Sequence, residues 1–291
     1  MASGVVAPLS TSKGPADGNV PHVFQYHSEE SDITVLQHGN VDAASHALAA
    51  MVQAAAAKAV EEKGAFTLVL SGGSLLKSLS KLTSSGSVDF SKWWIFFVDE
   101  RNVPHSSDES TYKGAKENFL DLTDIPASQI LEIHEGLSVI EAAKNYEGRM
   151  LDVPTAVLPR DEDGWPVFDC MVLGTGPDGH IASLFPNKAT LAASDGWVLP
   201  VSDSPKPPPE RITMTLPVIN ASKSVVFFAT GAGKADVVRR TLECQALPGA
   251  LPAQLVRPKN GSVTWMLDVD SSKDLQTATW EDKKKFPRSQ V

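Results

Sequence analysis

The chain has 291 residues, with 35 acidic against 26 basic side chains and a formal net charge of −9. The acidic balance argues against a nucleic-acid backbone as partner, and no apolar run reaches the length of a membrane span. Hydrophobic residues make up 42%, enough for the core of one large domain or two small ones.

An anionic small molecule stays open as a ligand, because a local basic pocket can oppose the global sign. Two cysteines, Cys170 and Cys244, do not make a disulfide framework, which suits a reducing compartment. There is no H-E-x-x-H and no C-x-x-C, so a dedicated metal site is not expected; no cofactor is expected either.

Residues 1–30 are rich in Ser, Gly, Pro and Ala without periodicity and read as a disordered leader. It has no apolar stretch of the secretory kind, lacks Arg and carries Asp17. The compartment expected from this is the cytoplasm, with a plastid as the weaker alternative. A domain is expected over 31–270, and 271–291 reads as a solvated tail containing Lys283, Lys284 and Lys285.

Ile33–Leu36 is the first expected strand, with Asp42 as the cap of the next helix. In that helix Ala44, Leu48, Met51, Ala55 and Ala59 form one apolar stripe, and Gly64 ends it. Phe66–Leu70 is a buried strand that runs into Ser71-Gly72-Gly73-Ser74, followed by a helical stretch from Leu75 to Leu82. Strand, glycine pair, hydroxyl and helix together aim backbone N–H groups at an anion, although the same letters also fit a plain turn.

Trp93–Val98 is the next strand, and its carboxyl end carries Asp99, Glu100 and Arg101. Three charges at that place cannot all enter a core unpaired, so they form a solvated loop or line a cleft. A helix from about Thr111 to Leu122, a short strand over Ile130–Ile133 and a helix over Val139–Leu151 follow. Arg160–Asp163 reads as a solvated surface turn.

Phe168, Cys170, Met171, Val172 and Leu173 then build a strand that empties into Gly174-Thr175-Gly176-Pro177-Asp178-Gly179-His180. The carboxyl ends of strands are where α/β proteins place ligands, and here that place carries a carboxylate and an imidazole. His180 is read as a general base. The same letters match G-x-G-x-x-G, with Asp203 downstream, which is a dinucleotide fingerprint. That fingerprint needs a long helix opening from the last glycine, and Pro186 leaves room for about two turns at most.

Trp197–Val201 is an expected strand, and Pro205–Pro209 a rigid spacer. In Glu210–Leu216, apolar Ile212, Met214 and Leu216 alternate with polar Arg211, Thr213 and Thr215, the pattern of a half-buried strand. Ser224–Ala229 is buried, and Thr230–Lys234 opens a helix to Leu242. A lysine in a first turn opposes the helix dipole, and an anionic ligand at that end supplies a reason for it. Leu251–Val256 reads as helical and Val263–Leu267 as the last strand. The alternation predicts a single-domain α/β fold, a mostly parallel Rossmann-like sheet with helices on both faces.

Five motifs, in order from about Val35 to Asp268, resemble the 6-phosphogluconolactonases: Leu70–Ser74, Val98–Pro104, Leu173–Pro186, Arg211–Pro217 and Gly231–Lys234. Glucosamine-6-phosphate deaminases share the fold, but there Asn-Glu-Pro follows the Asp-Gly-His turn and the glutamate serves the catalytic relay. Here the place reads Leu184-Phe185-Pro186, which argues against deamination. Thr111 stands where the lactonase pattern has Asn.

The resemblance implies hydrolysis of 6-phospho-D-glucono-1,5-lactone to 6-phosphogluconate in the oxidative pentose phosphate pathway. His180 is then the base, with Asp178 orienting it, and Arg101 and Asp99 stand at the reacting end. Gly72, Gly73, Ser74, Arg211 and Lys234 are the candidates for the phosphate. The partner implied is a small sugar phosphate, not a nucleic acid or a membrane; an oligomeric partner is left open. A non-catalytic sugar-phosphate sensor on the same fold is the rival from another class.

Overall fold

The computed structural model describes residues 21–27, 32–84, 88–244 and 251–276. Among these residues ten strands lie in two sheets. β1 (His22–His27), β2 (Asp32–His38), β3 (Phe66–Leu70), β4 (Trp93–Phe97), β6 (Cys170–Leu173), β9 (Ser224–Ala229) and β10 (Ser262–Asp268) form the larger, in the order β1-β2-β10-β9-β6-β3-β4. Every pairing is parallel except β1 with β2. β5 (Asp99–Arg101), β7 (Val198–Val201) and β8 (Arg211–Met214) form a small antiparallel sheet, β5-β8-β7.

Both faces of the large sheet are covered, which is why its central strands read as continuous apolar runs. Side chains alternate between two cores. Phe66, Leu68, Trp93, Ile95, Cys170 and Val172 pack with Leu48 and Val52 of α1 (Val41–Lys63). Val69, Phe96, Met171, Phe227 and Trp265 pack on the other face with Ala142 and Tyr146 of α4 (Val139–Leu151). α2 (Leu75–Ser78) and α3 (Thr111–Asn118) lie with α1; α5 (Leu216–Asn220) and α6 (Ala235–Glu243) lie on the α4 side, and α7 (Val269–Ser272) follows β10. Among the described residues no helix is long and apolar enough to cross a membrane.

Several boundaries differ from the sequence reading. Residues 22–27, assigned to the leader, form β1, because Phe24 and Tyr26 alternate into the core beside Val35. Residues 1–20 and the Lys283–Lys285 cluster lie outside the described residues. The tail boundary also moves, since α7 spans 269–272 and Leu275 is buried. The cap of α1 is Asn40, whose side chain accepts from Ala43 N at 2.9 Å, while Asp42 pairs with Lys81 at 2.8 Å. Gly64 closes the helix as expected, at φ 77° with its N–H on the Val60 carbonyl.

The helical stretch after Ser74 is α2 continued by a 3-10 segment, and Ile130–Ile133 makes only a single bridge, Ile95 to Ile130. Arg160 is not a solvated turn residue: its guanidinium sits 4.5 Å from the Trp197 ring centroid.

The half-buried strand at 211–214 is buried at all four positions. It is the middle strand of the small sheet, so its polar face is turned toward other protein groups instead of water. This sheet is spliced onto the large one through Val98, whose N–H donates to Leu70 O at 2.9 Å and whose carbonyl accepts from Met214 N at 2.7 Å.

Candidate active site

β9, β6, β3 and β4 are consecutive neighbours, and the segments leaving their carboxyl ends enclose one cleft of about 240 Å³. β3 delivers Gly72, Gly73 and Ser74; β4 runs on into β5 with Asp99 and Arg101. β6 delivers the Gly-rich turn with His180, and β9 delivers Lys234. Arg211 enters from β8. Eight of the nine residues picked out from the sequence therefore line one cavity. The ninth, Asp178, touches His180 directly.

That contact is the centre of the site. His180 Nδ1 lies 2.5 Å from Asp178 Oδ1. The turn is closed by Gly176 N donating to His180 O and Gly179 N donating to Gly176 O, both at 2.9 Å. Gly179 adopts φ 82°, open to glycine at little cost. Among the described residues no protein group hydrogen-bonds Nε2. A proton on Nδ1 shared with the carboxylate leaves the Nε2 lone pair available.

Burial holds the imidazole below the ordinary histidine range, and the hydrogen bond and charge of Asp178 partly oppose this. For Asp178 itself, burial pushes upward, but the His180 hydrogen bond, with the charges of His180 and Lys206, holds the carboxyl below its usual range.

No helix opens from Gly179. Residues 181–184 close a tight bridge, Ile181 to Leu184, and the dinucleotide reading loses the element it needs. Phe185 then lies with its ring centroid 4.7 Å from that of His180, almost fully buried.

The acidic pair at the end of β4 divides its work. Asp99, buried, accepts from Ser183 Oγ at 2.7 Å beside the cleft. Glu100 points the other way and is fully buried. It accepts from the backbone N–H of Arg101, Thr111 and Tyr112 at 2.7, 2.8 and 2.7 Å, pinning the start of α3. Burial raises its carboxyl pKa, and those N–H groups oppose the rise. Thr111 Oγ1 is buried without a partner, and a Cβ on Gly72 would meet it at 2.8 Å.

Arg101 and Arg211 are direct cross-strand partners in the β5–β8 register, so both side chains leave the same face. Burial, then the charge of Arg101, lower the Arg211 pKa, and two like charges leaving one face suit an anion near them. Lys234 does not sit inside the first turn of α6. It closes a 3-10 turn ahead of that helix, and its half-buried ammonium reaches back to the Thr175 carbonyl. Burial, then Lys206, lower its pKa.

Lys206, Ser183 and Phe185 escaped the sequence reading as site residues. A lysine among prolines in a supposed spacer was the one available signal for Lys206.

The model of the glucosamine-6-phosphate isomerases/6-phosphogluconolactonase family matches residues 39–265. The chain belongs to that family. A rice protein named probable 6-phosphogluconolactonase 4, chloroplastic, is 46% identical over 226 residues, covering 76% of this chain and 70% of the relative. Arabidopsis thaliana probable 6-phosphogluconolactonase 1 is 40% identical, with 86% and 95% covered. The crystal structure of 6-phosphogluconolactonase from Thermotoga maritima superposes with a TM-score of 0.68 at 28% identity, covering 81% of this chain and 98% of that one. Where the resemblance to the deaminases would call for a glutamate after the Asp-Gly-His turn, this chain carries Phe185, whose ring lies against His180.

Proposed function

We propose that the protein hydrolyses 6-phospho-D-glucono-1,5-lactone to 6-phosphogluconate, with His180 as general base. It is a carboxylic ester hydrolase acting in the oxidative pentose phosphate pathway. The observation that carries the mechanism is the 2.5 Å Asp178–His180 contact in a cleft faced by three cations.

A lactone is an activated ester, so water can be the nucleophile. Nε2 takes one proton from water as its oxygen bonds to the lactone carbonyl carbon, and the carbonyl becomes an oxyanion. Backbone N–H groups of the Gly-rich turns or Arg101 stabilise that charge. Collapse breaks the ring C–O bond, and the leaving alkoxide takes the proton back from His180. Asp178 holds the Nδ1–H tautomer throughout, a positioning role.

Gly72, Gly73, Ser74, Arg211 and Lys234 are assigned to the substrate phosphate. Arg211 spends Nε and Nη2 on carbonyls and keeps Nη1 toward Ser183 and the cleft. No step calls for a metal, and among the described residues no cluster of three or more His, Cys, Asp or Glu is placed to hold one. The compartment proposed is the cytoplasm; a rice relative is named chloroplastic, so the plastid is the alternative, and localisation of the tagged chain decides between them.

The test is steady-state lactone hydrolysis, corrected for spontaneous ring opening. His180→Ala should lower kcat by about 10²- to 10⁴-fold and remove the acidic limb of the kcat/KM profile. A folded variant with near-normal kcat and that limb intact refutes the base, and Asp99 becomes the next candidate.

A further inference from the structure

The loop from Ser204 to Pro209 plays no part in the mechanism above, yet it places an ammonium at its centre. Lys206 Nζ lies 3.3 Å from Asp178 Oδ1 and 3.3 Å from His180 Nδ1. A lysine side chain is flexible, so its placement depends on how firmly its backbone is held, and here it is held from two sides.

Arg211 Nη2 donates to the carbonyls of Lys206 and Pro207, both at 3.0 Å, and Nε donates to Pro208 O at 3.0 Å. From the other side Ser204 Oγ donates to Lys206 O at 2.8 Å and accepts from Lys206 N at 3.3 Å. Ser204 N closes the loop on Pro209 O at 3.1 Å.

Asp178 Oδ1 is thus the common acceptor of two donors, the imidazole Nδ1–H and the ammonium. We propose that Lys206 is a positioning residue of this hydrolysis. Its ammonium aims the Asp178 carboxylate at Nδ1–H and so keeps the lone pair on Nε2. Arg211 acts twice, on the substrate phosphate and on the backbone that carries Lys206. The two ends of the substrate site are coupled through one guanidinium. The inference rests on the assignment of His180 as base.

The charged groups facing His180 are Asp178 in its own turn, Lys206 from this loop and Asp99 from β5. Lys234, beyond them, feels Lys206 and Asp178. Burial lowers the His180 pKa most, Asp178 raises it, Lys206 lowers it further and Asp99 raises it. Removing the ammonium therefore moves the imidazole titration to higher pH.

The experiment uses the full chain carrying Lys206→Met or Lys206→Arg, with two readouts. One is the titration of the His180 ring by NMR. The other is the pH dependence of kcat and kcat/KM on the phosphorylated lactone. Lys206→Met should lower kcat about tenfold, the worth of one charge-assisted hydrogen bond, with KM little changed. The ring titration and the acidic limb should move together to higher pH, and Lys206→Arg should restore both. Arg211→Lys, which keeps a charge but cannot cap three carbonyls, should move the limb the same way.

A raised KM with an unmoved ring titration makes Lys206 a substrate ligand and overturns the proposal; unchanged kcat and titration make it a surface lysine and overturn it too. The NMR arm separates the two assignments. A ring that does not shift refutes the Lys206 contact, whereas a ring that shifts beneath a stationary acidic limb refutes His180 as the base.

Discussion

Gly176→Ala is the sharpest test of the site's geometry, because one methyl group lands on both members of the Asp178–His180 pair. A Cβ built on Gly176 would lie 2.1 Å from His180 Cε1 and Nδ1 and 2.5 Å from Asp178 Oδ1. Ordinary contact begins at 3.4 Å, so the ring must retreat by about 1.3 Å. Gly176 has no left-handed φ, so alanine brings no backbone penalty. Both displaced groups are ends of partly solvated side chains, and they can swing toward the cleft.

The expected result is loss of activity without loss of fold. Misplacing a catalytic group by about 1 Å costs roughly 10²-fold, and complete loss of a base costs up to about 10⁴-fold. We expect kcat to fall by about 10²- to 10³-fold, or about 3 to 4 kcal/mol of transition-state stabilisation. Unfolding stability should change by less than about 1 kcal/mol.

Gly164→Ala is the complementary control. Its φ is 86° and nothing lies within 4 Å of a Cβ there. It should lose about 1 kcal/mol of stability from the left-handed backbone and keep its kcat. Lactone hydrolysis and thermal unfolding of both variants decide the matter. Wild-type kcat in Gly176→Ala, or a loss that simply follows its melting temperature, refutes the reasoning.

Lys234→Ala should raise KM strongly for the phosphorylated lactone and little for gluconolactone; equal losses on both substrates would make the residue structural. His38 is buried with both ring nitrogens unpartnered, and burial lowers its pKa. Below about pH 6.5 the unfolded chain binds the proton that the folded one refuses, so stability falls as pH falls. His38→Leu should flatten this dependence in urea titrations run across pH. Glu100→Ala strips three backbone N–H groups of their acceptor and should cost about 3 kcal/mol or more of stability in denaturant unfolding, with Arg101 loosened in the same stroke.

The large sheet was legible because its central strands are buried on both faces and so carry unbroken apolar runs bounded by Gly and Ser. The Gly-rich turns at their carboxyl ends made most of the site legible for the same local reason. What was hidden is non-local. β5 and β8 have three and four residues, too few for periodicity to report that they pair across more than a hundred positions. Burial of Arg211 follows from that pairing, and the alternation at 211–216 alone pointed to water on one side. Lys206 was hidden because its partners lie 26 and 28 residues earlier, and only the capped loop brings it back. β1 was missed because two aromatics, Phe24 and Tyr26, were the sole alternation in a stretch dominated by polar residues.

The Arg101–Arg211 cross-strand pair makes buffer composition part of this protein's chemistry. Like charges held directly opposite on a strand ladder oppose folding, and any small oxyanion that settles between them removes that opposition. By mass action, such an anion at a hundred times its dissociation constant adds about 2.7 kcal/mol to the folded state. Because Arg211 is also proposed to hold the substrate's phosphate, such an anion should compete with it. If the proposed phosphate site is right, inorganic phosphate and sulfate should act at once as stabilisers and as inhibitors, which melting and inhibition series in the two anions would read directly. A melting temperature measured in phosphate would then describe a liganded protein, and a KM measured in it would carry the buffer's own affinity inside it.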